Sequence, residues 1–257
     1  MSEQVIPPEG IAKVRPRSAA LLEGVHNLCP GCGEGIAVRV IANVIEEMGI
    51  QDEAILVNGV GCYGQATYMI KVDSVGALHG RAPAMATGLR RTHPGPVIFT
   101  VQGDGDLFAE GVLEAVQAAT RGENITIICV NNGVNGMTGS QMTPATILGQ
   151  RTNTSLEGRD AKTHGYPLLM AELLAALPGT AYAARSAVHN PAEIRRAATY
   201  IQTAFEIQRQ RIGLTYVELL TMCPSGWHLT PVEALDFIED EMSKTHVLGV
   251  VKDVTAT

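Results

Sequence analysis

The run Ile125–Val130, Ile-Thr-Ile-Ile-Cys-Val, constrains this chain more than any other stretch. It is almost wholly apolar and ends at Asn131-Asn132-Gly133. That pattern reads as a strand buried on both faces, the kind found in parallel sheets. The rest of the chain alternates in the same sense. Helices are predicted over Glu34–Met48, 81–92, Phe108–Arg121, 167–176, 191–210 and Pro231–Met242. Strands are predicted over Ala54–Asn58, Val97–Gln102, 180–184 and 215–220. Pro94 and Pro96 stop the helix before Val97. The alternation predicts an α/β fold, a doubly wound and mainly parallel sheet with helices on both faces.

With 257 residues the chain is near the upper size for one core. A single domain over residues 29–245 is therefore expected. Residues 1–28 contain Pro7, Pro8 and Pro16 and read as an extended arm that could lie on a partner subunit. Residues 246–257 read as a C-terminal tail. Residues 133–163 are rich in Gly, Thr, Asn and Ser with little periodicity, and such long loops are usually functional.

Net charge is −7, with the charges interspersed. Phosphate backbones need a basic face, so nucleic acid is not expected as a partner. No apolar run approaches the ~20 residues of a membrane span, and the first residues lack the apolar core of a signal peptide. Five cysteines, an odd number, fit a reducing cytoplasm better than a disulfide framework. A cytoplasmic location is expected.

Two strand ends carry oxygen donors. Gly103-Asp104-Gly105-Asp106 follows one strand and Asn131-Asn132-Gly133-Val134 follows another. In open parallel sheets ligands bind at the carboxyl ends of strands. If those strands are neighbours, Asp104 and Asn132 reach one ion. A carboxylate, a carboxamide oxygen and a loop carbonyl suit magnesium bound to a diphosphate. Gly103 and Gly105 would let the backbone approach that anion, and the helix near Phe108 would turn its amino end toward it. Asp106 is expected to hold the turn or cap the helix. Either motif alone is as well explained by an ordinary turn; the pair is more specific.

Cys29, Cys32, Cys62 and Cys223 fall on the same edge. Four thiolates there suit either an iron–sulfur cluster or zinc. Cys129, inside the apolar run, reads as a buried structural residue.

The strings CPGCG, GVGC, HGRAPAMATG, GDGD, NNGVNGMTGSQ and CPSGW occur in that order. Over about residues 27–243 the chain resembles the thiamine-diphosphate-binding β subunits of 2-oxoacid:ferredoxin oxidoreductases, most nearly the 2-oxoglutarate and branched-chain types. The resemblance implies a thiamine-diphosphate-binding fold. It places Asp104, Asn132 and the Val134 carbonyl on magnesium, and Cys29, Cys32, Cys62 and Cys223 on a 4Fe–4S cluster. Gly61, Cys62, Gly103, Asp104, Gly105, Asp106, Asn132, Val134, Gly136, Met137 and Thr138 are the expected cofactor contacts. Met137 and the pair His79 and Arg81 are the candidate catalytic residues; the bland reading of that pair is a helix-start histidine and a structural arginine.

The implied reaction converts a 2-oxoacid and coenzyme A to acyl-CoA and carbon dioxide, with electrons passed to ferredoxin. The implied partners are an α-type subunit carrying the pyrimidine and coenzyme A domains, with further γ and ferredoxin-like subunits. Three positions depart from the family pattern: Glu34 after CPGCG, Asn135 before GMTG, and Tyr63-Gly64-Gln65 after the third cysteine. They bear on the substrate pocket. Two other readings compete. A non-redox thiamine decarboxylase would need no cluster, and a zinc-bound assembly subunit would need no diphosphate site.

Overall fold

The computed structural model of the chain describes residues 18–22 and 26–256. Among these, nine strands form: β1 (Ala54–Asn58), β2 (Asp73–Gly76), β3 (Val97–Gly103), β4 (Thr126–Asn131), β5 (Val134–Asn135), β6 (Gln141–Met142), β7 (Thr180–Ala187), β8 (Leu214–Leu220) and β9 (Gly249–Asp253). β5 and β6 make a small antiparallel ribbon. The other seven share one sheet in the order β2-β1-β3-β4-β8-β7-β9. Every pairing in it is parallel except β9 on β7.

The helices are α1 (Gly33–Glu47), α2 (Ala82–Thr92), α3 (Val112–Thr120), α4 (Ala161–His164), α5 (Met170–Ala175), α6 (Pro191–Arg209), α7 (Pro224–Trp227), α8 (Pro231–Phe237) and α9 (Ser243–Thr245). α1 and α6 cover one face, around Ile41, Ile45, Phe99, Val101, Ile201 and Phe205. α2, α3 and α5 cover the other, around Ala86, Ile98, Ala115, Ile127, Leu174 and Tyr216. β4 feeds both layers, Ile128 and Val130 into the first, Ile127 and Cys129 into the second. Each buried isoleucine contributes about 1.5–3 kcal/mol. Helix starts follow local rules. Asn190 accepts the Glu193 N–H at 2.9 Å ahead of α6, and Thr230 with Glu233 closes a capping box on α8.

The structure departs from expectation at four places. β2 is an exposed edge strand with no apolar alternation to betray it. The helix expected from Phe108 opens instead as a wide π turn over Gly105–Glu110 before α3. The last helix likewise ends in a π turn over Ile238–Met242. The tail is not free: β9 pairs with Tyr182–Arg185, and His246 is fully buried. Of the arm, the described residues 18–22 lie on this chain itself. Leu21 bridges Ile70, and the Lys71 N–H donates to the Ala20 carbonyl at 2.7 Å. The remainder of the arm before residue 26 lies outside the described residues, and with it any contact with a partner.

Candidate active site

β1, β3, β4 and β8 are neighbours, so the segments that leave their carboxyl ends meet. Asp104 follows β3 and Asn132 follows β4. The Asn132 N–H donates to Asp104 Oδ1 at 3.2 Å, and the Thr143 hydroxyl donates to Oδ2. The Val134 N–H donates to Asn132 Oδ1 at 3.1 Å. Asp104 is 1% exposed. Burial pushes its carboxyl up to about 7, against the hydrogen bonds from Thr143 and Asn132 that favour the charged form.

An open cavity lies over these residues. Its wall holds Gly61, Cys62, His79, Gly103, Asp104, Gly105, Asp106, Asn132, Val134, Gly136, Met137 and Thr138. Of the positions that depart from the family pattern, Glu34, Tyr63 and Asn135 also line it and Gly64 and Gln65 do not; Val60 of the GVGC string, not among the expected contacts, lines it too. Gly103 and Gly105 also make room for the chain's own side chains. A Cβ at Gly103 would stand 2.7 Å from the Tyr63 ring, and one at Gly105 would overlap the Asn135 carboxamide. The chain's own side chains fill that space.

His79 lies on the cavity wall with Nδ1 3.0 Å from a Glu110 carboxylate oxygen. Arg81 does not join it. Its guanidinium pairs with Glu114 and reaches the Glu110 carbonyl at 3.4 Å, drawn to the acidic residues at the start of α3.

Asp106 neither caps a helix nor merely holds its own turn. Its carboxylate accepts from the Val60 and Gly80 N–H groups, the Tyr63 hydroxyl and Gln102 Nε2. Three segments of sequence are joined at one buried group. Gly80, at φ +79, reaches it by a backbone conformation that side chains rarely adopt.

The cysteines gather next to this cavity. The Gly33 N–H donates to the Met222 carbonyl at 2.9 Å, laying the CPGC turn beside Cys223 at the end of β8. Burial pushes the Cys32 and Cys223 thiols up to about 12 and that of Cys62 to about 11; in each the negative charge of Glu34 adds to it, as do other cysteines of the set, with Cys62 bearing on Cys32 and Cys223, and Cys29 on Cys62. All five cysteines are free. Among the described residues, no three His, Cys, Asp or Glu side chains close to the spacing of a single metal ion. Trp227 links the two regions. Its backbone N–H donates to the Cys223 carbonyl and its indole N–H to the Asn132 carbonyl, both at 2.9 Å.

These donor sets fit the groups that the resemblance implies. Asp104 and Glu34 are two buried carboxyls in one wall, and Glu34 Oε2 has no hydrogen-bond partner among the described residues. Hard oxygen donors left unbalanced suit a hard divalent cation. Clustered thiols, three of them half-buried, that repel one another's charge suit a soft metal centre, which deprotonates them outright.

Sequence reasoning did not find the buried polar network behind the site. Glu218 on β8 and Arg185 on β7, both fully buried, pair at 3.1 Å. Glu218 also accepts from Asn131 Nδ2 at 2.8 Å and from the Tyr216 hydroxyl at 3.1 Å. Strand positions with charged residues read as a solvent face from sequence alone, and here both faces are covered.

Comparison with known proteins shows the family. The C-terminal TPP-binding domain of thiamine pyrophosphate enzymes matches residues 56–209. The ketoisovalerate oxidoreductase subunit VorA of Methanothermobacter thermautotrophicus is 39% identical over 257 residues, covering 100% of this chain and 54% of that subunit. The 2-oxoglutarate synthase subunit KorB of Archaeoglobus fulgidus is 31% identical over 84% of this chain and 76% of its own length. This chain spans only about half the length of the VorA subunits it matches. The same fold occurs in a 2-oxoglutarate:ferredoxin oxidoreductase from Magnetococcus marinus solved with 2-oxoglutarate, coenzyme A and succinyl-CoA bound, with a TM-score of 0.80 and 22% identity over 95% of this chain and 87% of that one. No helix among the described residues is long and apolar enough to cross a membrane. The chain belongs to the thiamine pyrophosphate enzymes and, within them, to the family of 2-oxoacid oxidoreductase subunits that includes VorA and KorB.

Proposed function

We propose that this chain is the thiamine-diphosphate-binding subunit of a cytoplasmic 2-oxoacid:ferredoxin oxidoreductase, acting on 2-oxoglutarate or a branched-chain 2-oxoacid. The observation that carries the reading is the juxtaposition at one sheet edge. The oxygen set of Asp104, Asn132 and the Val134 carbonyl lies beside the thiols of Cys29, Cys32, Cys62 and Cys223, with Glu34 and Trp227 between. A site for decarboxylation alone would have no use for the second set.

Asp104, Asn132 Oδ1 and the Val134 carbonyl would hold magnesium on the diphosphate, and the four cysteines a 4Fe–4S cluster. Thiamine diphosphate, when bound, supplies the nucleophilic carbon and the electron sink for loss of carbon dioxide. The cavity wall orients it through Gly61, Gly136, Met137 and Thr138. His79 faces the same space and is the candidate proton carrier. Arg81, tied to Glu114, is not offered as a substrate contact. A cluster held by the four cysteines would supply a one-electron route toward ferredoxin, and coenzyme A would be the acyl acceptor.

An α-type subunit would complete the site. Val60 and Met137 on the cavity wall are about half exposed, and Leu78, beside His79, is 78% exposed. Apolar groups at the rim of a cavity fit a face that another subunit covers. γ and ferredoxin-like subunits would follow.

The test is anaerobic purification with metal, sulfide and thiamine analysis, alone and with the α-type subunit. The chain alone should be brown and should turn over no 2-oxoacid; adding the partner should restore tight cofactor binding and ferredoxin reduction. Zinc in place of iron in a fully active preparation overturns the electron-transfer reading, and decarboxylation by the isolated chain overturns the shared site.

A further inference from the structure

α1 begins directly after the CPGC turn, and an acidic residue in a first turn is usually left in solvent, where it meets the helix dipole. Glu34 is instead drawn inside and is 3% exposed. Its Oε1 accepts a hydrogen bond from Asn132 Nδ2 at 3.3 Å. Its Oε2 is buried, lies in the wall that also holds Asp104, and has no hydrogen-bond partner among the described residues. A buried carboxylate oxygen without a donor is costly, so a native fold keeps one where something else completes it.

The bond to Asn132 has a directional consequence. A carboxamide presents an oxygen on one side and an NH2 on the other. With Nδ2 held by Glu34, Oδ1 takes the opposite side, where it accepts the Val134 N–H at 3.1 Å and keeps a second lone pair. Turned over, Asn132 would set an NH2 against the Val134 N–H and offer a cation no acceptor. Glu34 Oε1 on one side and the Val134 N–H on the other together select the first orientation.

We propose that Glu34 is a positioning residue of the metal-diphosphate site: one carboxylate oxygen fixes Asn132 with its oxygen toward the cation, and the other accepts a hydrogen bond from water carried by that cation. This rests on the magnesium-diphosphate reading of Asp104 and Asn132. Magnesium commonly keeps several waters, so an acceptor just outside its ligands is chemically apt.

The test uses the protein purified with its partner subunits, saturated with thiamine diphosphate and titrated with Mn2+ by electron paramagnetic resonance. Glu34→Ala should weaken Mn2+ binding about tenfold or more, the usual loss when a partner of a metal ligand is removed, while Glu34→Gln should stay within about threefold of the unaltered protein. Gln keeps an acceptor for Asn132, and this rescue by the conservative variant separates orientation from mere packing. Thermal melting without metal gives a second measurement. Glu34→Ala should melt within a few degrees of the unaltered protein, since loss of the unpartnered buried oxygen offsets the donor orphaned on Asn132. Mn2+ affinity unchanged in Glu34→Ala overturns the proposal, as does a Glu34→Gln as weak as Glu34→Ala, or a melting loss that accounts for the weaker binding. Unaltered protein that takes up no Mn2+ with thiamine diphosphate overturns the underlying metal reading and the proposal with it.

Discussion

The Tyr63 hydroxyl donates to the Asp106 carboxylate across 43 residues of sequence, inside a wall where both side chains are buried. Tyr63 follows Cys62 directly, so this bond anchors the turn that presents the third cysteine. Asp106→Ala would strip the partners from the Val60 and Gly80 N–H groups and Gln102 as well. Each orphaned buried donor costs about 1–3 kcal/mol, so a loss of at least 3 kcal/mol is expected, against about 1 kcal/mol for Tyr63→Phe. Denaturant unfolding checks both. Equal, small losses would show that Asp106 is an ordinary turn residue.

Asp104 should behave in the opposite way. It is buried at a cost, as its raised carboxyl shows. Asp104→Ala should therefore leave the cofactor-free fold within about 1 kcal/mol of its stability, since the buried charge and its few hydrogen bonds nearly offset. Thiamine diphosphate should be lost, or should need far more magnesium. Calorimetric titration with magnesium and thiamine diphosphate decides, and retained cofactor at unchanged magnesium would remove Asp104 from the metal site.

Cys223 and Cys129 form a matched pair for the cluster. Cys223→Ser should bleach the brown colour and lower iron and sulfide content. Cys129 is fully buried between strand and helix layer. Cys129→Ser places a hydroxyl there, at a cost of about 1–3 kcal/mol, yet iron content should hold. Loss of iron in Cys129→Ser alone would reverse the assignment.

Arg185 tests the network behind the site. It is fully buried between Glu218 and Glu172. Arg185→Leu takes the guanidinium from buried Glu218 and leaves it His246 Nδ1 at 3.7 Å, which should cost about 3–5 kcal/mol. Because Glu218 also holds Asn131 Nδ2, cofactor affinity should fall with stability. A thermal melt within a few degrees of the unaltered protein would show that the Arg185–Glu218 pair does not hold the fold.

The central sheet was legible because its strands are covered on both faces and so carry little polar interruption, as in Ile125–Val130. The meeting of Asp104 with Asn132 was legible because neighbouring parallel strands deliver their carboxyl ends to one place. β2 and β9 were not, since edge strands are half solvated and lack a continuous apolar run. The role of Asp106 was misread, because a GDGD string looks complete in itself and nothing local names Tyr63 or Gly80 as partners. Arg81 was drawn toward the pocket by motif reading and away from it by Glu114. Glu34 was noticed only as a departure; its bond to Asn132 spans 98 residues, a distance no local pattern encodes.

The chain has a single tryptophan. Trp227 touches the Cys223 turn with its backbone and the Asn132 loop with its indole, and its ring rests on Phe237 at 4.8 Å between centroids. The protein therefore carries its own optical gauge. Excited beyond the absorption of the six tyrosines, it emits from one place, within reach of both an absorbing, quenching centre at the thiols and a polarising ion at the carboxamide. Filling either would dim or shift that emission without any label, and the order in which the two are filled could be followed in a single cuvette.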